Sequence, residues 1–253
     1  MQICSVRLKC TPSKMKPITH ALNYLLPLRC QLCEELADTV LCSQCAHDFV
    51  LTNAHRCMQC GIQLFDSKHE QKCGECLKNP PSFDYTIVGT DYIPPVDELV
   101  QKLKFGHQLS IASLMAITIR ESIVTQHNRP LPLLMAPVPL GRQRLIERGF
   151  NQSWEIARHL SLLLGVPKQA RLLSRIRETQ AQSLIPLAQR YANTRSAFVT
   201  NPSFTGQIRD QHIGIVDDVM TTGTTLNEIA KTLKRQGATT ITNFVFARTP
   251  RHP

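Results

Sequence analysis

From residue 85 onward the chain switches repeatedly between two hydrophobic periods. Residues 85–92, YTIVGTDY, are rich in β-branched and aromatic side chains and predict a strand. Residues 96–105 and 109–125 space their apolar positions at helical intervals. Residues 133–138 predict a buried strand. Residues 152–164 predict an amphipathic helix with Trp154, Ala157, Leu160, Leu163 and Leu164 on one side, stopped by Gly165 and Pro167. Trp154 is expected in the core rather than as a base-stacking platform. An apolar strand follows at 212–216, a helix at 224–236 closed by Gly237, and a last strand within 238–247. Strand–helix–strand in this order predicts an α/β fold with a parallel sheet and right-handed crossovers. In such a sheet ligands bind at the carboxyl ends of the strands.

Upstream the periodicity stops and cysteine spacing takes over. Eight cysteines fall in four CxxC pairs within 47 residues: Cys30/Cys33, Cys42/Cys45, Cys57/Cys60 and Cys73/Cys76. Two residues between thiolates let a tight turn aim both sulfurs at one ion, and two such knuckles complete a tetrahedral shell. Eight ligands therefore predict two zinc ions. Consecutive pairing is the favoured arrangement, with a cross-braced one as the alternative. A disulfide framework would need an oxidising compartment. No spare ligand position is evident, so both sites are expected to be structural, holding together a segment too short for a large core. Cys4 and Cys10 fit neither set and are expected to be free thiols. Lys78-Asn79-Pro80-Pro81 can continue neither a helix nor a central strand and marks a boundary. The domains expected are thus an extension at 1–24, a double zinc ribbon at 25–80 and an α/β domain at 81–253.

The candidate chemistry lies in 213–225, IGIVDDVMTTGTT. Asp217 and Asp218 are expected at the carboxyl end of a strand, with Thr221, Thr222, Gly223, Thr224 and Thr225 turning into the next helix. Backbone N–H groups at a helix start, helped by threonine hydroxyls, hold a phosphate, and a glycine lets the backbone come close. Adjacent carboxylates repel a phosphate and suit the hydroxyls of a ribose. The chain lacks both GxxxxGK[ST] and GxG, so a Walker loop and a dinucleotide fingerprint are excluded.

Charge adds a second feature. The formal net charge is +10. Residues 141–200 carry +7 of it, whereas 30–82 carry −3. The basic segment suits phosphates, of a small substrate or of nucleic acid. The acidic cysteine-rich segment does not suit a phosphate backbone. Arg142, Arg144 and Arg148 follow Pro137-Val138-Pro139-Leu140 at a strand end, where guanidinium groups grip pyrophosphate or DNA. Lys102 and Lys104 are weaker candidates. No apolar stretch is long enough to span a membrane, so no membrane insertion is expected. The first residues lack the apolar run of a signal peptide, Met15 is an alternative start, and the expected location is cytoplasmic.

The four apolar residues, two acids and T-x-G-T resemble the phosphoribosyl pyrophosphate (PRPP) signature of type I phosphoribosyltransferases. The resemblance implies that Asp217 and Asp218 contact the ribose 2′ and 3′ hydroxyls. It implies that Thr221 to Thr225 cradle the 5′-phosphate, and that Mg²⁺ accompanies PRPP on ribose and pyrophosphate oxygens. The acid that serves as base in purine salvage is replaced here by Thr221, which resembles the orotate and amido-transfer branches instead. More widely, the cysteine array, GECLKNPPSFD, LKFGH, APVPLGRQRLIERGFNQS, RIRETQAQSL with NTRSAF, and IVDDVMTTGTT resemble the ComF family, including the GntX proteins. That resemblance implies a zinc ribbon joined to a phosphoribosyltransferase-like domain. It also implies a link to competence and to the uptake or use of DNA, with single-stranded DNA and competence proteins as partners. Pro139, Leu140, Arg144 and Arg148 fall where the fold places its pyrophosphate loop. Arg175, Arg177, Thr179 and Gln182 fall where it carries a hood over the site. Three functions are carried forward: pentosyl transfer from PRPP, single-stranded DNA binding without catalysis, and PRPP sensing. Metal analysis of the purified protein should find two zinc ions per chain, and fewer would contradict the ribbon.

Overall fold

The computed structural model describes residues 28–50, 54–65, 71–126, 130–176 and 197–250. Four strands form one parallel sheet: β3 (Tyr85–Asp91), β4 (Leu134–Pro137), β7 (His212–Met220) and β8 (Thr240–Arg248), in the order β3-β8-β7-β4. Outside it, β1 (Leu28–Arg29) pairs with β2 (Leu36–Ala37), and β5 (Leu173–Arg175) with β6 (Phe198–Thr200), both antiparallel. The helices are α1 (Ser43–Cys45), α2 (Gly74–Lys78), α3 (Val96–Gly106), α4 (Ser110–Gln126), α5 (Arg142–Arg148), α6 (Gln152–Leu164) and α7 (Thr224–Arg235).

Two-residue periodicity divides the sheet's side chains between two cores. Val216, Phe244 and Phe246 pack with α3, α4 and α6 through Leu99, Leu103, Met115, Ile119, Ile156 and Leu160. Ile213, Ile215, Ile241 and Val245 pack with α7 through Leu226, Ile229 and Leu233. The central strands are apolar on both faces, as a sheet covered by helices on both sides requires. Gly214 is needed where it stands: a Cβ there would come within 2.8 Å of the Phe244 ring.

The cysteine-rich segment covers the β3 edge of the sheet, where unpaired backbone groups would otherwise be exposed. Thr86 donates from its amide to the Met58 carbonyl (3.0 Å) and from its hydroxyl to the Gln59 carbonyl (2.7 Å). Thr90 donates to the Phe49 carbonyl (3.1 Å). Arg56 pairs with Asp91 at 2.8 Å, both largely buried. The segment straddles the edge. Cys30 and Cys45 join the core on the α3–α4 side, and Cys57, Cys60, Cys73 and Cys76 join the core on the α7 side.

Two expectations need correction. The strand expected to end at 216 runs on to Met220, because β8 continues to pair with it through Asp217, Val219 and Met220. In α6 the expected face holds for Ala157 and Leu160, which are buried, and for Trp154 and Leu164, which pack against the core, but not for Leu163. Gln152, Ser153, Ile156, Ala157, Leu160 and Ser161 are buried, whereas Leu163 is exposed. Trp154 is partly buried against the core. The helix turns its polar first turn inward because it abuts two carboxylates. Among the described residues no helix is long and apolar enough to cross a membrane.

Phe246 is fully buried at the centre of this packing. Phe246→Ala should cost about 3–5 kcal/mol in urea denaturation, as truncation leaves a cavity the sheet cannot close.

Candidate functional site

Asp217 and Asp218 lie in the second half of β7, buried to 9% and 4% relative exposure. Carboxylates in such a place must be paired or hydrogen-bonded. Two helices supply the partners. Ser153, in the first turn of α6, donates its hydroxyl to Asp217 Oδ1 at 2.9 Å. Gln152 donates from Nε2 to Asp218 Oδ1 at 3.3 Å. From the end of α3, Lys104 Nζ sits 2.5 Å from Asp218 Oδ2. Asn151 caps α6 by accepting from the Ser153 amide (3.0 Å), and its side-chain amide donates to the Val138 carbonyl at the end of β4. That pair of bonds holds the helix start against the acids.

The two acids are electrostatically unequal. Burial, reinforced by the neighbouring Asp218 charge, pushes the Asp217 carboxyl well above the usual carboxylate range. Burial also raises Asp218, but the Lys104 charge and hydrogen bonds outweigh it and leave that carboxyl below its ordinary value. Asp218 is thus the acid of the pair that ionises first, and Asp217 the one that holds its proton to higher pH.

Beyond Met220 the chain turns through Thr221 and Thr222, both exposed, into Gly223 and the N-terminus of α7. Gly223 has φ of 80°, a left-handed conformation that favours glycine, and a Cβ there would approach the Met220 methyl within 2.5 Å. The Thr222 and Thr224 hydroxyls lie 2.8 Å apart. Asp217 and residues 219–226 line a cavity of about 40 Å³. A larger cleft, about 460 Å³, lies between the same loop and the end of the cysteine-rich segment. Only the smaller cavity includes one of the two acids.

Pro139 is buried and Leu140 half-buried at the exit of β4. Arg144 and Arg148 are half-buried on α5. Arg148 donates to Gln152 Oε1 at 2.5 Å, and its guanidinium stacks 5.4 Å from the centre of the exposed Phe105 ring. Burial lowers the Arg148 pKa from its ordinary value, and the Asp218 charge opposes that. One chain of contacts therefore runs from Lys104 through Asp218 and Gln152 to Arg148. Arg177, Thr179 and Gln182 lie outside the described residues, as do Cys4 and Cys10.

Sequence reading missed Ser153 and Gln152, and ranked Lys104 low. The signal was present: two polar residues directly after the N-cap Asn151, on the face the helix buries.

The thiols of Cys30, Cys33, Cys42 and Cys45 lie within 4.8 Å of one another, and those of Cys57, Cys60, Cys73 and Cys76 do the same. Pairing is consecutive. None of these cysteines is in a disulfide. The four-sulfur donor sets fit tetrahedral zinc. In the second cluster, hydrogen bonds from Cys60 and Cys76 hold the Cys57 thiol far below its ordinary pKa, and the Cys60 thiol is pushed up to about 11, chiefly by Cys57. Four thiols this close cannot ionise together without a cation.

Fold and site together define a zinc-ribbon protein built on a type I phosphoribosyltransferase-like sheet. A double zinc ribbon domain model matches residues 21–77, and a phosphoribosyl transferase domain model matches residues 152–252. The chain is 33% identical over 227 residues to Competence protein F of Haemophilus influenzae, covering 87% of this chain and 96% of that protein. It is 34% identical over 230 residues to DNA utilization protein YhgH of Salmonella typhi, covering 88% and 98%. Competence protein ComFC of Streptococcus pneumoniae matches at 23% over 214 residues, covering 83% and 89%. The chain belongs to the ComF family of competence and DNA-utilization proteins. Among solved structures, a glutamine PRPP amidotransferase from B. subtilis superposes with a TM-score of 0.33 at 17% identity, over 53% of this chain and 24% of that one.

The raised Asp217 pKa has a consequence for stability. The folded protein keeps a proton that the unfolded chain releases. This group's contribution is therefore complete at low pH and declines as pH rises through the raised value. Asp217→Asn should raise the Tm of the ligand-free protein at pH 7–8, the gain vanishing toward pH 4. Asp218→Asn strands the Lys104 charge and should instead cost roughly 3 kcal/mol at pH 7. Thermal melts across pH check both.

Proposed function

We propose that this protein binds PRPP, or a closely related phosphoribosyl ligand, at the carboxyl ends of β4 and β7, and that the site is built for pentosyl transfer. The carrying observation is the paired buried carboxylates directly before a glycine-turned threonine loop at a helix start. In this reading Asp217 and Asp218 hold the ribose hydroxyls. Thr221, Thr222, Gly223, Thr224 and Thr225 hold the 5′-phosphate with backbone N–H groups and hydroxyls. The pyrophosphate lies against Pro139 and Leu140 with Arg144 and Arg148, and Arg177 contributes from the hood. Lys104, which neutralises Asp218 in the ligand-free protein, yields that carboxylate to the ribose.

Departure of pyrophosphate from the anomeric carbon builds positive charge on the ribose ring. The ionised Asp218 stabilises that charge electrostatically, and the arginines stabilise the leaving group. Magnesium, when bound with PRPP, offsets charge between the pyrophosphate oxygens; hard carboxylate oxygens beside the ribose suit its neighbourhood. The purine-salvage base is replaced by Thr221, so the acceptor is expected to bring its own nucleophile. The family names favour a role in the uptake or use of DNA. The clustered reduced thiols favour a cytoplasmic location. The ribbon is taken to end at residue 80, before Pro81.

A second reading rests on α5. An exposed Phe105 with Arg148 stacked on it, beside Arg142 and Arg144, offers a stacking and phosphate-binding surface for single-stranded DNA.

Calorimetry with PRPP and Mg²⁺ should show binding to the wild type that Asp217→Ala/Asp218→Ala weakens by at least about tenfold, as expected when charge-assisted hydrogen bonds are removed. Absence of binding to the wild type would sink the reading. Pyrophosphate release across an acceptor screen then separates turnover from sensing. Oligonucleotide binding unaffected by salt, or unchanged in Arg144→Ala/Arg148→Ala, would remove the second reading.

A further inference from the structure

Arg248 ends β8, one strand over from the phosphate loop, and is only 5% exposed. Its Nε donates to the Cys60 carbonyl at 3.0 Å. Its Nη1 donates to the carbonyls of Met220 (3.0 Å) and Thr249 (3.0 Å), and also to that of Thr221. Cys60 belongs to the second four-thiol cluster. Met220 and Thr221 lead straight into the threonine loop. A single planar guanidinium therefore joins the ribbon's backbone to the loop's backbone.

The direction of these bonds carries the argument. In a trans peptide the carbonyl and the N–H of the following residue point in opposite directions. The Met220 carbonyl shares its peptide plane with the Thr221 N–H, and the Thr221 carbonyl shares its plane with the Thr222 N–H. With both carbonyls turned onto Arg248, those two N–H groups point away from it. Thr221 and Thr222 are among the residues 219–226 that line the small cavity beside Asp217, on the side of the loop to which these N–H groups are free to turn. The strand register supports the same geometry: Met220 pairs with Arg248, and the Thr249 amide donates to the Met220 carbonyl at 3.0 Å.

We propose that Arg248 is the positioning residue of the phosphate loop. It fixes two peptide planes so that the Thr221 and Thr222 amides face the 5′-phosphate, and it references them to the second four-thiol cluster through the Cys60 carbonyl. The inference rests on the phosphoribosyl reading of the site. Lysine cannot replace arginine here, because one ammonium lacks the planar fork that reaches carbonyls on both sides.

The test compares two ligands on the full chain, ribose 5-phosphate and magnesium pyrophosphate, by calorimetry. The first uses the loop, whereas the second uses the β4 exit and α5. Arg248→Lys and Arg248→Met should raise the Kd for ribose 5-phosphate by about tenfold, a loss on the scale of one charge-assisted hydrogen bond. The Kd for magnesium pyrophosphate should stay within about twofold, and zinc content should match the wild type. If Arg248→Met does not fold, Arg248→Lys carries the test alone. Equal weakening of both ligands in Arg248→Lys would mean a general structural role and overturn the proposal, as would no change in either. A wild type that binds pyrophosphate but not ribose 5-phosphate would instead sink the loop's assignment, and the positioning role with it.

Discussion

Two adjacent carboxylates buried in a parallel sheet are the constraint around which the rest of this molecule is arranged. Isolated, they would repel one another and lose their hydration. The fold answers from three directions. The end of α3 brings Lys104 onto Asp218, the first turn of α6 brings Ser153 and Gln152, and the exit of β4 fixes that turn through Asn151. None of these groups serves the hydrophobic core. Their shared consequence is an acid pair held in one fixed arrangement, in which Asp218 ionises more readily than Asp217.

The cysteine-rich segment solves a different problem with the same economy. It is too short to bury a core of its own, so its thiol clusters merge with the two cores of the sheet, one on each side of the β3 edge. Its backbone closes that edge by hydrogen bonds to Thr86 and Thr90. The ribbon is thus a structural flank of the phosphoribosyltransferase-like sheet rather than a tethered appendage. Lys102 donates to the Gln31 carbonyl in the first knuckle, two residues before Lys104 reaches Asp218. Both metal clusters are consequently within a residue or two of contacts that touch the site.

Much of this is legible in the amino-acid sequence. The helices at 152–164 and 224–235 have strong apolar periodicity and glycines just beyond their ends, so their bounds could be read closely. The strand ending was misplaced because two acids look like a strand terminus. Pairing with β8 through Met220 overrides that local signal. The burial of the polar first turn of α6 and the exposure of Leu163 escape local reading for a related reason. A leucine row suggests burial, but Ser153 and Gln152 are drawn inward by Asp217 and Asp218, whose position relative to the helix no local pattern contains.

What the chain alone determined is therefore local and chemical. It specified the four CxxC knuckles, the acids followed by a glycine-turned threonine loop, and the alternation of strand and helix, because spacing and side-chain type decide each of these within a few residues. What only the tertiary structure decided is which distant groups meet. Lys104 on Asp218, Ser153 on Asp217, and Arg248 on the Cys60 carbonyl join residues 64 to 188 positions apart. Such contacts follow from sheet order and from the faces on which helices pack. Short-range periodicity carries no information about either.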